Sequence, residues 1–284
     1  MHSKIRRWRS IVASLAAVIA LGAVVASPAL AITNGRLDGN GHPFVGLMVA
    51  KNASGVPLWR CSGTLMSPTI YLTAGHCTEA PAAHVEIWFD SGPIPLGAGY
   101  PAAGSNPCNG IVGYPCTGDV SGTPHSHPQF DPNAFFLHDL GVIVLDRAVP
   151  MSAYGQLPRL NQLDGLHPGR STTFTAVGYG LQKAFPAAAG WKDQSTRVRM
   201  VAHPWLLQIN RGIVGDFALL LSNNAATGGT CFGDSGGPNF LGSSHVVAGT
   251  TSFGRNVTCA GTGGVYRIDK ADDLNWLATF GLTT

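Results

Sequence analysis

Short apolar or alternating segments recur along the chain, separated by turns rich in glycine and proline. Many short strands between such turns are typical of an all-β sandwich or barrel. Helical spacing occurs only near the end, where Leu274, Leu277 and Phe280 recur behind Asp272 and Asp273, so we predict one C-terminal helix. The predicted strands are Phe44 to Ala50, Ile70 to Ala74, His84 to Phe89, Leu140 to Leu145, Thr172 to Val177, Thr196 to Val201, Phe217 to Leu221 and His245 to Thr250.

One region lacks this pattern. Between Ser91 and Asn133, eight glycines and eight prolines fall among 43 residues, which predicts a long loop instead of strands. The same region holds His125-Ser126-His127, the nearest approach to a metal-ligand spacing in the chain. We interpret these histidines as part of a solvated loop, and we predict no metal site and no cofactor.

The first 31 residues have the layout of a secretion signal. A basic start precedes an apolar run from Ile11 to Ala26, and Ala29-Leu30-Ala31 has the small-x-small pattern of a cleavage site. A membrane anchor is the weaker alternative, because Pro28 and small residues interrupt a run that is already short for a bilayer. We predict removal of residues 1–31 and secretion of residues 32–284 with no further attachment to a membrane.

Removal of the signal changes the charge of the chain. The first 31 residues carry four Lys or Arg and no acid, so the formal net charge of +3 becomes −1. No basic patch remains to indicate nucleic-acid binding. Six cysteines in an exported chain predict disulfides, although spacing alone leaves all 15 pairings open.

Three short motifs carry the chemistry. The segment LTAGHC at 72–77 presents His76, HDLGVIVLD at 138–146 places Asp139 at the entrance of an apolar strand, and CFGDSGGP at 231–238 surrounds Ser235 with glycines. A serine hydroxyl needs a base to become a nucleophile, and that base needs a third group to orient it. We therefore predict that His76, Asp139 and Ser235 form a catalytic triad.

These motifs resemble those of the trypsin/chymotrypsin-like secreted serine proteases, in particular small bacterial members. The resemblance extends over nearly the whole mature chain and includes CSGTLMSPTIYLTAGHC, TSFG from Thr251 and GGVYRI from Gly263. It implies an all-β fold of two six-stranded antiparallel barrels with the active site in the cleft between them. The implied function is hydrolysis of protein or peptide substrates by a monomeric endopeptidase.

The resemblance also assigns roles to further residues. It implies the disulfides Cys61–Cys77 and Cys231–Cys259, which leaves Cys108 to pair with Cys116. Backbone N–H groups of Gly233 and Ser235 would form the oxyanion hole, and Ser252 would hydrogen-bond Asp139 from behind. The implied substrate-binding residues are Gly229 at the pocket floor, Gly254 and Gly264 in its walls, and Ser252 and Phe253 beside it.

The residue at the pocket floor predicts the preferred substrate. An acid at position 229 would select Lys or Arg, whereas glycine leaves an open, largely apolar slot. We therefore expect cleavage after large apolar residues. The alternative is that Phe232 or a neighbouring loop fills the slot.

The segment Ile32-Thr33-Asn34-Gly35 follows the predicted cleavage site. In the resembled family, a freed N-terminal isoleucine pairs with the aspartate before the nucleophile, which here is Asp234. We predict that signal cleavage itself creates this N-terminus, because only Ile32 to Pro43 separate the site from the first strand. Thr33 and Asn34 depart from the family pattern, so the alternative is a frayed end and an Asp234 that only caps a turn.

Two other functions are weaker alternatives. Residues 233–237 also fit the G-x-S-x-G elbow of lipases and esterases, but that fold needs the order Ser, acid, His, and every Asp after Ser235 follows His245. A protease-shaped binding protein without activity is the second alternative. Such proteins usually lose a triad residue or the GDSGGP loop, and this chain keeps both.

Overall fold

Strands dominate the computed structural model, which describes residues 32–102, 106–184 and 196–284. The described strands are β1 (Arg36–Leu37), β2 (Val45–Lys51), β3 (Pro57–Ser67), β4 (Ile70–Thr73), β5 (His84–Trp88), β6 (Val120–Ser126), β7 (Gly141–Leu145), β8 (Gly169–Gly178), β9 (Met200–Ala202), β10 (Trp205–Ile209), β11 (Ala218–Asn223), β12 (Pro238–Leu241), β13 (Val247–Gly254) and β14 (Gly261–Arg267). One α-helix, α1 (Ala271–Ala278), follows them. The predicted signal segment, residues 1–31, lies outside the described residues.

The first half of the chain forms a closed antiparallel barrel in the order β2-β3-β4-β7-β6-β5. Its interior is apolar because alternate residues of each strand face inward, and Leu72, Val85 and Ile143 have no exposed surface. The longest contact is the β2–β3 ladder, which runs from Val45 opposite Thr64 to Lys51 opposite Pro57. Closure removes the free strand edges that an open sheet would expose.

The second half forms the other barrel, around the ring β8-β10-β11-β14-β13-β12. The ring closes because β8 is long enough to pair with β10 near its start and with β12 further along, where Asn239 lies opposite Ala176. Strands β9 and β1 extend the sheet beyond β8. Phe174, Leu219 and Val265 pack in the core of this barrel. The prediction of two six-stranded antiparallel barrels is confirmed.

The barrels pack against each other through aromatic side chains. Phe44 of the first barrel contacts Phe240 of the second edge to face, with ring centroids 5.9 Å apart. Both rings are almost fully buried. Such pairs add stability beyond the area that they bury, and they hold the loops at the junction of the barrels in fixed positions.

The prediction of one long loop from Ser91 to Asn133 is wrong for part of its length. Strand β6 lies within this region and pairs with both β5 and β7, with Pro124 opposite Ile143 of β7. The sequence of β6, VSGTPHS, contains one glycine and one proline, so its strand signal is weak. It becomes a strand because the barrel cannot close without it.

The C-terminal helix is confirmed. Asp272 and Asp273 lie in its first turn, where acidic side chains interact favourably with the helix dipole. Leu277 is fully buried and packs against the core that includes Ile268 and Leu282. Among the described residues, no helix is long and apolar enough to cross a membrane.

All three disulfides implied by the resemblance are present. Cys61 is bonded to Cys77, Cys108 to Cys116 and Cys231 to Cys259. The first bond lies beside His76 and the third joins the segment before Ser235 to the segment after β13. They tie the two loops that carry the predicted base and nucleophile to their neighbours.

Candidate active site

His76 and Asp139 are in direct contact. His76 lies in a short 3₁₀ turn, Gly75–Cys77, that follows β4, and Asp139 lies just before β7, the neighbour of β4. The Nδ1 atom of His76 is 3.0 and 2.9 Å from the two carboxylate oxygens of Asp139, and the backbone N–H of His76 donates to the first of them at 2.9 Å. This contact places the ring proton on Nδ1 and leaves Nε2 as the acceptor.

Asp139 is held from the opposite side by the second barrel. The Ser252 hydroxyl donates to its Oδ2 at 2.5 Å, and the Thr250 hydroxyl donates to its backbone carbonyl at 3.3 Å. The carboxylate has no exposed surface. A buried carboxylate is tolerated because both oxygens accept hydrogen bonds: Oδ1 accepts from His76 of the first barrel, and Oδ2 accepts from His76 and from Ser252 of the second barrel.

The environment of His76 favours its protonated form. Burial by itself lowers the pKa of the imidazole, but the charge and hydrogen bond of Asp139 and the charge of Glu79 outweigh it, so the pKa is raised above its ordinary value of 6.5. A higher pKa makes the ring a stronger base when it is neutral.

Activity that depends on neutral His76 should decline as the pH falls through this raised pKa. Glu79→Gln removes one of the charges that raise it, so we expect the acid limb of the profile of kcat/KM against pH to move to lower pH. Asp216→Asn, which removes an exposed acid on the far loop before β11, is the matched control and should leave the limb in place. An unshifted limb in Glu79→Gln would show that Glu79 does not act on the base.

Ser235 stands in a tight turn that leads into β12. The Ser62 N–H of β3 donates to the Ser235 carbonyl at 2.8 Å, and the Gly236 N–H donates to the Thr251 carbonyl at 2.7 Å. Gly236 has a φ of 75°, and a Cβ there would lie 2.0 Å from the Thr73 hydroxyl oxygen, so only glycine fits. This close approach to the end of β4 brings the serine turn to the loop that carries His76.

Two backbone donors of the turn are unpaired. Among the described residues, neither the Gly233 N–H nor the Ser235 N–H donates a hydrogen bond. Gly233 has a φ of 92°, a conformation that residues with a side chain rarely adopt. Unpaired N–H groups in a half-buried turn are available to an incoming oxyanion.

The intervening Asp234 points inward. Its carboxylate accepts from the Gly180 N–H at 2.7 Å and from the Cys231 N–H at 2.9 Å. Complete burial raises the pKa of Asp234 to about 7, although both hydrogen bonds and the charge of Arg60 act against this. These two hydrogen bonds hold the Asp234 carboxylate inside the turn.

Ile32 lies near this turn with its side chain fully buried. It packs against Val198, Met200 and Ala202, and the next residue, Thr33, forms a β-bridge with Gly229. Ile32 is therefore packed into the protein in this structure, which does not favour a frayed end. The structure shows no contact between Ile32 and Asp234 among the described residues, so their pairing remains a proposal.

A cavity of about 280 Å³ opens beside Ser235. Its lining includes Phe135, Thr230, Phe232, Ser252, Phe253 and Gly254. Phe232 is half exposed, so it forms part of the wall and leaves the cavity open. The ring of Phe135 also contacts His76, with centroids 6.2 Å apart, which joins the cavity to the predicted base.

Two predicted pocket residues do not line this cavity. Gly229 is backed by Asn223, whose Cγ would lie 2.4 Å from a Cβ at position 229. Gly264 faces the ring of Phe253, which a Cβ there would meet at 2.4 Å. The preceding residue, Gly263, is directed instead towards Thr230, whose Oγ1 would be 2.8 Å from its Cβ.

The prediction that His127 belongs to a solvated loop is wrong. Its ring is buried and stacks on His138, and Nε2 lies 3.9 Å from Asp273 Oδ1. These three residues bring potential ligand atoms within 4.8 Å of one another. However, His127 Nδ1 accepts from the Gln129 N–H at 3.2 Å, so the proton of the neutral ring is on Nε2 and no lone pair faces Asp273. We therefore assign no metal to this cluster.

Sequence reasoning missed several residues of the site. Phe135 and Thr230 line the cavity, Asn223 lies behind Gly229, and the charge of Glu79 acts on His76. None belongs to a motif that indicates catalysis. Thr230 could have been inferred from its position beside Gly229 and Glu79 from its position three residues after His76, whereas Phe135 and Asn223 reach the site only through the fold.

Solved structures with the same fold include enzymes and binding proteins. The chain is similar to HL collagenase, with a TM-score of 0.66, 19% identity and coverage of 89% of this chain and 100% of that chain. It is also similar to human heparin binding protein, with a TM-score of 0.59, 18% identity and coverage of 87% and 96%. A mutant of the latter protein gives a TM-score of 0.62, 17% identity and coverage of 87% and 96%. At this identity the similarity shows the two-barrel, chymotrypsin-like fold alone.

The sequence identifies the family. Residues 112–276 match the family Trypsin, a range that contains Asp139, Ser235 and most of the second barrel. The chain belongs to the trypsin family. Since one similar structure is named for an enzyme and another for a ligand that it binds, the fold does not decide whether this chain is active.

Proposed function

We propose that this protein is a secreted serine endopeptidase that cleaves peptide bonds through an acyl-enzyme intermediate. The observation that carries the proposal is the contact between His76 and Asp139, with Ser252 hydrogen-bonded to Asp139 and with Phe135 in contact with both His76 and the cavity that Ser235 lines. An inactive binding protein has no need for a buried, fully hydrogen-bonded carboxylate behind a histidine. The unpaired N–H groups of Gly233 and Ser235 support the same proposal.

In the proposed reaction, His76 Nε2 takes the proton of the Ser235 hydroxyl while Oγ attacks the scissile carbonyl carbon. The carbonyl oxygen becomes an oxyanion that the Gly233 and Ser235 N–H groups stabilise, each by roughly 3 kcal/mol. Asp139 stabilises the imidazolium, which then gives its proton to the leaving amine as the C–N bond breaks. Water, deprotonated by His76, hydrolyses the resulting ester and restores Ser235.

A fluorophosphonate probe tests this proposal against an inactive protein. Among the described residues, Ser235 Oγ forms no hydrogen bond with His76, and such bonds often tighten only when substrate binds. We expect stoichiometric labelling of Ser235 in the mature protein, and none after heat denaturation. Absence of labelling in folded protein with all three disulfides intact would favour the binding protein.

The shape of the cavity supports a preference for large apolar residues before the scissile bond. Its lining is rich in phenylalanine, and the described residues that line it include no acid. Substitution at Gly229 is a poor test of this preference, because any side chain there would collide with buried Asn223. Gly254 is better placed, since it lines the cavity and a Cβ there would meet only the Asn256 carbonyl oxygen, at an ordinary 3.6 Å.

Gly254→Val should therefore narrow the cavity without unfolding the protein. In a peptide library, we expect the wild type to cleave after Phe, Tyr or Leu, and the variant to lose at least about tenfold in kcat/KM on these while it retains cleavage after Ala. Gly165→Val, at an exposed glycine with open space around it, is the matched control. Wild-type cleavage dominated by Lys or Arg would refute the proposed preference.

Secretion, a protein or peptide substrate and a monomeric state belong to the same proposal. The three disulfides support an oxidising compartment. We propose that residues 1–31 are the signal and that residues 32–284 are the mature protease domain. N-terminal sequencing of the exported protein and its elution volume on a calibrated column test these points.

A further inference from the structure

Strand β3 crosses directly over the turn that holds Ser235. The Ser62 hydroxyl donates to the Gly233 carbonyl at 3.0 Å, and the Ser62 N–H donates to the Ser235 carbonyl at 2.8 Å. Arg60 lies two residues earlier in the same strand, so its side chain projects from the same face as that of Ser62. Its Nε and Nη2 atoms lie 3.3 and 3.4 Å from the point where a Cβ at Gly233 would stand.

Among the described residues, the side chain of Arg60 makes no hydrogen bond or ion pair. Its charge acts on buried Asp234, and Arg60 itself is only half buried. Arg199 and Arg267 differ, because both are fully buried and saturated: Arg199 Nε lies 3.1 Å from Asp38 and Arg267 Nε lies 2.6 Å from Asp269. Arg60 thus presents a planar set of donors to whatever occupies the site.

The position of Arg60 indicates which part of a substrate it meets. The cavity for the acyl side is lined by residues 230–232 and by the end of β13, and Arg60 is not among its lining residues. A substrate whose scissile carbonyl sits at the Gly233 and Ser235 N–H groups must therefore direct its leaving-group side away from that cavity. Arg60 lies outside that cavity but against Gly233, next to Cys61 in β3, so it can border the leaving-group side.

We propose that Arg60 forms a subsite that selects a carboxylate on the leaving-group side of the scissile bond. The carboxylate is either an Asp or Glu side chain within the first few residues after the bond or the free C-terminus of a short substrate. Guanidinium groups bind carboxylates in a planar, bidentate manner, and the half-buried position limits competition from water. This inference rests on the proposed protease activity, since a carboxylate is selected here only as part of a cleaved substrate.

Quenched fluorescent peptides with one acyl side and different leaving-group sides test the inference. The first set carries Asp, Asn or Lys at each of the three positions after the bond, and the second set ends there in either a free carboxylate or an amide. For the wild type at low ionic strength, we expect kcat/KM to be about tenfold higher for the peptide whose carboxylate reaches Arg60 than for the same peptide with an amide at that position. This ratio should be smaller at high salt. The first set reports side-chain selection and the second reports terminal selection.

Arg60→Gln should abolish the ratio, Arg60→Glu should reverse it in favour of Lys, and Arg60→Lys should retain part of it. A general loss of activity cancels, because each ratio compares substrates with the same acyl side. Arg159→Gln, at an exposed arginine on the loop before β8, is the matched control and should keep the wild-type ratio.

The possible failures are distinguishable. A wild-type ratio near one, or a ratio that persists in Arg60→Gln, would overturn the role of Arg60 while hydrolysis itself continues. No hydrolysis of any peptide, together with no labelling of Ser235 by fluorophosphonate, would instead overturn the proposed function.

Discussion

Replacement of Ser235 with alanine is expected to lower kcat by about ten-thousandfold or more, and His76→Ala and Asp139→Asn should each do the same. Ser235→Ala removes the nucleophile and His76→Ala removes its base. Asp139→Asn keeps the shape of the site, but an amide can place an N–H against His76 Nδ1, which forces the ring proton onto Nε2 and leaves no acceptor for Ser235. The measurement is steady-state hydrolysis of one peptide by each purified variant.

The three losses should not add, because the side chains act as one unit. A Ser235→Ala/His76→Ala double variant should be about as slow as either single variant, its residual rate arising from substrate binding and the oxyanion donors. His167→Ala, at an exposed histidine before β8, is the control for a general effect of substitution.

Near-normal turnover of Asp139→Asn would contradict the triad. In the sequence, Asp131 and Asp146 are the nearest substitutes for the acid. In the structure, Asp131 is exposed and binds Asn133, and exposed Asp146 binds the Ser121 hydroxyl, so neither contacts His76. Neither of these two acids is therefore available to rescue the base. Glu79, whose charge acts on His76, would be the remaining candidate for the acid.

A protein that begins at Ile32 is expected to be roughly 100- to 5000-fold more active than one that retains Ala31, because only in the former is the terminal ammonium group on Ile32 itself, where it can pair with Asp234. Loss of one member of a buried ion pair typically costs about 3 to 5 kcal/mol. The position of Ile32 supports this expectation. In the uncleaved chain, Ile32 has a φ of 52°, which is strained for a β-branched residue. Cleavage after Ala31 removes the peptide group that defines this angle, so the strain is released in the protein that begins at Ile32.

The charge state of Asp234 gives the same prediction a pH dependence. With its burial and no ammonium beside it, the pKa of Asp234 is raised to about 7, so much of the carboxyl is neutral near neutral pH. An ammonium at Ile32 would favour the ionised form, and the amine pKa would in turn rise above its unfolded value of about 8. Where Asp234 is ionised, a raised amine pKa means that the stabilisation is complete below about pH 8 and is lost as the pH climbs through the folded value.

The decisive measurement compares kcat/KM and labelling of Ser235 for the two N-termini between pH 6 and pH 10, with all disulfides formed. Asp234→Asn in the protein that begins at Ile32 should resemble the form that retains Ala31. Equal activity of the two forms, or a natural N-terminus elsewhere than Ile32, would refute activation by signal cleavage.

The sequence alone was sufficient for the class of fold and for the choice of His76, Asp139 and Ser235. Alternating segments such as His84 to Phe89 predict strands because alternate side chains of a strand face opposite sides of the sheet. The glycines around Ser235 indicate a turn whose backbone conformation only glycine can adopt. The three disulfides required more than spacing, which left every pairing open until the resemblance was used. These features are local, or belong to motifs whose residues are adjacent in the chain.

The tertiary structure decided everything that depends on distant segments meeting. Strand β6 exists because the barrel needs a partner between β5 and β7, despite its glycine and proline. His127 is buried because His138 and α1 cover it, and Asn223 lies behind Gly229 because β11 passes there. Arg60 precedes Gly233 by 173 residues in the chain, and the two lie against each other because β3 crosses the turn that holds Ser235. Sequence periodicity indicates whether a side chain is buried. Which residues cover that side chain, and whether a charged group finds a partner, is determined only when the barrels close and pack.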